Sequence, residues 1–128
     1  EQPRDAFIAS CMAMHALTHF DRFKLEASRH RCEQTRREML EELSRFSGHH
    51  GYLRAQAVVE AADGGCENVF EATVLWIVKS LYSGRVLTQF PITIEDHTYF
   101  GDIVLPDLKV IIEPDGRTKN SQVVAVPY

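Results

Sequence analysis

Apolar residues recur along the first half of the chain at helical spacing. Ala6 to Phe20 is rich in Ala, Met and Leu and free of Pro and Gly, which predicts a helix. From Phe23 to Phe46, Leu25, Cys32, Met39 and Phe46 return every seven residues, and Leu40 and Leu43 fill the adjoining stripe, so this segment carries one apolar helical face. Ser47-Gly48-His49-His50-Gly51 interrupts it. A shorter helix is expected over Tyr52 to Ala62, stopped by Asp63-Gly64-Gly65. Asn68 and Glu71 have the spacing of a capping box, which starts a helix from about Val69 to Tyr82. Phe70, Val74, Leu75, Ile77, Val78 and Leu81 occupy most of its circumference, and Trp76 joins them, so heavy burial on nearly all sides is expected.

Beyond Ser83-Gly84 the period changes to that of strands. Val86 to Ile94 reads as one run, Glu95-Asp96-His97 as a turn, and Tyr99 to Leu105 as a second strand. Pro106-Asp107 turns the chain again into Lys109 to Glu113, whose unbroken apolar centre suggests a strand buried on both faces. Gln122 to Pro127 supplies a fourth. The expected fold class is α+β, with a helical N-terminal region over 1–65 packed on a core of one helix and four strands over 66–128.

Composition narrows the class. At 128 residues, with 45% hydrophobic and 25% charged side chains, the chain is sized for a modest folded core, and disorder is excluded. The net charge of -4 argues against binding nucleic acid by bulk positive charge. Residues 1–60 carry nine basic and nine acidic side chains and 61–128 carry five and nine, so the whole deficit lies in the second part. Cys11, Cys32 and Cys66 form no CxxC pair, which fits small buried hydrophobes in a reducing, cytoplasmic setting. The start shows no signal-peptide pattern and no apolar run approaches the ~20 residues of a membrane span, so no membrane partner is expected.

The candidate chemistry lies in the strands. Side chains alternate, so Phe100, Asp102 and Val104 share one face while Ile111, Glu113 and Asp115 share a face of the next strand, which the Pro106-Asp107 turn folds back beside the first. Carboxylates set among such apolar neighbours are costly to bury unless something pairs with them. Mg²⁺, which takes hard oxygen ligands and keeps waters for a substrate phosphate, supplies that pairing.

The run from Phe100 to Lys119, FGDIVLPDLKVIIEPDGRTK, resembles the core of restriction-endonuclease-like proteins of the PD-(D/E)XK superfamily, in the branch related to very-short-patch-repair endonucleases. There an Asp on one strand precedes a hairpin whose return strand ends in an apolar-Glu-x-Asp-Gly motif; a Glu-bearing helix and a Gln in the first strand match Glu71 and Gln89. The N-terminal segment, with Leu53-Arg54-Ala55-Gln56 leading into Ala61-Ala62-Asp63-Gly64, is similar to the helical region of actinobacterial abortive-infection and toxin–antitoxin relatives. The resemblance implies a nuclease hydrolysing DNA phosphodiester bonds, with phage defence as the implied setting. Asp102 and Glu113 would bind Mg²⁺, with Mn²⁺ as an alternative, and Glu71 would assist from the helix. Asp115 stands in the usual lysine position, and Lys119 is the substitute cation. In relatives a charged helix precedes the last strand, whereas only Asn120 and Ser121 separate Lys119 from Gln122, so that helix is expected to be missing. The alternative is a catalytically inactive relative that binds DNA or a protein partner in a defence or toxin–antitoxin system.

Other features have plainer readings. His15 and His19 have the i, i+4 spacing of a zinc helix but lack its intervening Glu, and His49-His50 reads as a solvated loop. Arg22, Lys24, Arg29, Arg31, Arg36 and Arg37, against Glu26 and Glu33, form either a salt-bridged solvent face or a surface for phosphates, with the solvent face favoured.

Overall fold

A computed structural model describes residues 3–115 and 122–128. Its contacts divide the chain into two compact units, residues 1–67 and 68–128. Together they make an α+β protein in which helices precede a four-stranded antiparallel sheet.

The first unit consists of α1 (Pro3–Thr18), α2 (Leu25–Leu43) and α3 (Tyr52–Ala61), with 3₁₀ turns at Arg22–Lys24 and Ser44–Phe46. Phe7, Cys11 and Met14 of α1, Cys32 of α2, and Val58 and Val59 of α3 form its core, joined by Ala62 and Cys66 from the following loop. The α1 helix ends at His19, which takes a left-handed φ of +49°. There Phe20 N donates to His15 O and His19 N to Ala16 O, both at 3.3 Å, the paired bonds of a Schellman stop.

Most of the basic run is engaged in holding this unit together. Arg31 donates through Nε to Thr18 O at 2.8 Å and through Nη2 to His19 O at 3.3 Å, covering the carbonyl end of α1. Arg36 donates to Val59 O at 3.4 Å and also to Ala62 O, covering the end of α3. A cation at a helix C-terminus meets orphan carbonyls and the negative end of the dipole. Arg22 pairs with Glu67 at 3.8 Å, and Arg29 lies 5.9 Å from the Phe20 ring centroid. The phosphate-facing alternative thereby loses Arg31 and Arg36, whose guanidinium groups point at backbone.

The second unit begins with α4 (Val69–Leu81) and continues through β1 (Leu87–Ile94), β2 (His97–Leu105), β3 (Val110–Asp115) and β4 (Gln122–Pro127). The strands lie in the order β1-β2-β3-β4, each antiparallel to the next. Glu95 and Asp96, at φ +48° and +67°, form a two-residue turn with both central residues left-handed, the geometry that matches strand twist. His97 therefore belongs to β2, paired with Ile94, and not to the turn. Lys109 likewise lies outside β3, because its φ of +54° closes the four-residue loop after Leu105.

Two burial expectations are corrected. Val110, Ile111 and Ile112 are half-buried rather than enclosed on both faces: β2 and β4 satisfy the edges of β3, while its faces are only partly covered. The α4 helix is not buried all round either. Glu71, Ala72, Val74 and Leu75 are buried and Trp76 is half-buried, but Val69, Ile77 and Leu81 are 58%, 50% and 83% exposed. These three share one helical face with Thr73, the side turned away from the buried residues.

Candidate functional site

Asn68 starts α4 from an extended backbone, its Oδ1 accepting from Glu71 N at 2.9 Å. The reciprocal half of the cap is made by side chains: Asn68 Nδ2 donates to Glu71 Oε2 at 3.2 Å. Glu71 is only 6% exposed, so the capping residue is also a buried carboxylate on the sheet-facing side of the helix.

Asp102 and Glu113 come together as the alternation predicts. The pairs Leu105↔Val110, Val104↔Ile111 and Ile103↔Ile112 fix the β2–β3 register, and one step further sets Asp102 against Glu113. Burial, and then a side-chain hydrogen bond with Asp102 and its negative charge, push the Glu113 carboxyl up to about 7; a backbone hydrogen bond at Asp102 pulls the other way, and Glu71 adds further repulsion. A proton held between two carboxyl groups relieves the cost of two like charges in contact.

Gln89 approaches from the other edge of β2. Thr88↔Ile103 and Phe90↔Gly101 flank it and Asp102, so the two lie opposite each other. Gln89 is fully buried, and its Nε2 donates to Asp102 Oδ1 at 3.4 Å. Its φ of +48° is left-handed, a conformation that costs a side-chain-bearing residue roughly 1–3 kcal/mol and that clusters at functional sites. Nothing in the sequence signals this strain. Next to Asp102, Gly101 has no room for a side chain: a Cβ there would lie 2.6 Å from Val104 Cγ2 and 3.2 Å from Ile111 Cγ2.

Asp115 is the last residue of β3, its backbone paired with Gln122. Lys119 lies outside the described residues, as does the connection in which a helix was expected to be missing. Among the described residues, no group of three His, Cys, Asp or Glu side chains is placed to hold a metal ion. What assembles is a carboxyl pair, Asp102 and Glu113, with Glu71 close enough to act on it through its charge and Gln89 in contact with one member.

The histidines assemble no second site. His15 Nδ1 lies 2.8 Å from Gly64 O and its ring stacks on Phe20, while His49 and His50 are exposed, His49 edge-on to Phe46. Cys11, Cys32 and Cys66 are all buried, and burial pushes the Cys32 thiol up, away from the reactive thiolate. Among the described residues, no helix is long and apolar enough to cross a membrane. No family model, curated protein or solved structure matches the chain.

Proposed function

We propose that residues 68–128 form a divalent-cation-dependent phosphodiesterase of the PD-(D/E)XK kind, acting on DNA, with Mg²⁺ or Mn²⁺ as its cofactor. One observation carries the reading: Asp102 and Glu113, from neighbouring strands, meet in a partly buried site and share a hydrogen bond. A carboxyl pair that resists double ionisation offers hard oxygen donors to a divalent ion, which removes the repulsion by replacing the shared proton. Asp102 and Glu113 would hold the ion. When bound, it supplies Lewis acidity for charge developing on a phosphate and lowers the pKa of water.

The chain's own residues set the stage for that chemistry. Strand pairing next to Asp102 and Glu113 holds their backbones side by side, so less has to be ordered when a ligand arrives. The charge of Glu71, held by Asn68 at the helix start, raises the cost of ionising Glu113 and so increases the demand for a cation. A non-catalytic relative that binds a protein partner is the second reading, favoured by the exposed Val69, Ile77 and Leu81 stripe of α4.

Titrating Mg²⁺ and Mn²⁺ into the wild-type chain and following the melting temperature separates the readings. A rise in wild type that disappears in Asp102→Ala supports the cation site. No rise, or an equal rise in the variant, removes it, and cleavage of a plasmid then has no metal on which to depend.

A further inference from the structure

Among the described residues, the carbonyl oxygen of Gln89 is the one buried side-chain polar atom without a hydrogen-bond partner. It belongs to a residue with no solvent exposure and a left-handed backbone. Both features weigh against a glutamine: an apolar side chain of the same length would leave no orphan carbonyl, and Gly or Asn would suit the backbone better. Its carboxamide is nevertheless directed at the acidic pair, with Nε2 3.4 Å from Asp102 Oδ1. The N–H is the end that faces Asp102, to which it donates.

Half a turn about the last side-chain torsion exchanges the amide nitrogen and oxygen at nearly the same positions. With a divalent ion beside Asp102, the useful end is the oxygen, since glutamine carbonyls are ordinary ligands of hard cations. We propose that Gln89 is a third oxygen ligand of the cation site, presenting Oε1 when Asp102 and Glu113 hold an ion. This rests on the reading of those two residues as cation ligands. A neutral third donor adds coordination without adding another negative charge against an incoming phosphate, so it favours an anionic phosphodiester over a neutral substrate.

The test measures Mn²⁺ affinity of the full chain by paramagnetic resonance of the free ion, alongside the metal-free melting temperature. Gln89→Met keeps the length and removes the amide. The expected result is a metal-free melting temperature equal to or above wild type, with Mn²⁺ bound about 10-fold more weakly or worse. Gln89→Glu, which replaces the amide by a carboxylate, is expected to bind Mn²⁺ more tightly than wild type. Wild-type affinity in Gln89→Met, with or without a loss of stability, overturns the proposal and leaves Gln89 a packing residue. If Gln89→Met does not fold, Gln89→Glu decides, and affinity at or below wild type overturns the proposal. Asp102→Asn locates a broader failure: if wild type binds no Mn²⁺, or binds it as Asp102→Asn does, the cation site itself is wrong and this inference falls with it.

Discussion

Asp102 and Glu113 face each other one register step beyond the Ile103↔Ile112 pair, where burial first, and then the hydrogen bond with Asp102 and its charge, push the Glu113 carboxyl up to about 7. This relationship gives the sheet unit a pH dependence with a definite sign. Between the ordinary glutamate value of 4.5 and about 7, the folded chain holds a proton that the unfolded chain has released. The resulting stabilisation is complete below that window and is lost as pH rises through it. Metal-free denaturant titrations from pH 4.5 to 8 should show wild-type stability falling relative to Glu113→Gln, which has no proton to lose. Parallel curves for the two proteins would mean that Glu113 ionises normally.

The two glutamates should separate by role. Glu71→Gln keeps the bond from its backbone N–H to Asn68 Oδ1 and an amide oxygen for Asn68 Nδ2, so the start of α4 should survive. Glu113→Gln removes the charge of one of the three proposed ligands and should shrink the Mg²⁺-induced rise in melting temperature. Cleavage of an oligonucleotide should fall more steeply in Glu113→Gln than in Glu71→Gln, and the reverse order would move the site onto the helix.

Arg36 offers a test of the first unit. Arg36→Ala leaves Val59 O and Ala62 O without their charged donor and should destabilise the chain by about 1–3 kcal/mol, read by urea denaturation. Arg85→Ala makes a useful contrast, because its ion pair with Asp107 is solvent-exposed and its loss should leave the denaturation midpoint in place.

Gly101→Ala should cost about 1–3 kcal/mol, since the added methyl meets Val104 and Ile111 in a packed layer, whereas Gly48→Ala has open space and should be neutral. Thermal melts of the two variants suffice to check the difference.

What the sequence revealed follows from what is local. The Asn68 and Glu71 cap, the glycines after α3 and the alternation that unites Asp102 with Glu113 are short-range patterns, and the helices, strands and carboxyl pair they imply are present. Turn limits were displaced at His97, which joins β2, and at Lys109, which is left-handed without being glycine and closes the loop after Leu105. Counting apolar residues around α4 showed that it can be buried but not how many neighbours it has, and Val69, Ile77 and Leu81 stand exposed. The run of basic side chains gave no hint that Arg31 and Arg36 point at helix ends, since those carbonyls come from other elements. The same holds for Gln89, whose left-handed backbone lies between the Thr88↔Ile103 and Phe90↔Gly101 pairs.

The β2–β3 hairpin also has a kinetic consequence. Its loop is only the four residues between Leu105 and Val110, so closing it requires little chain diffusion, and the strands meet early along a folding route dominated by near neighbours in sequence. That closure is also what drives the two carboxyl groups into contact. Charge repulsion is therefore expected in the act of zipping, before the sheet is complete, and a proton that relieves it should speed folding, as the proposed divalent ion would. Refolding of the sheet unit should thus be faster in weakly acidic buffer than above neutrality, with added Mg²⁺ restoring the lost speed.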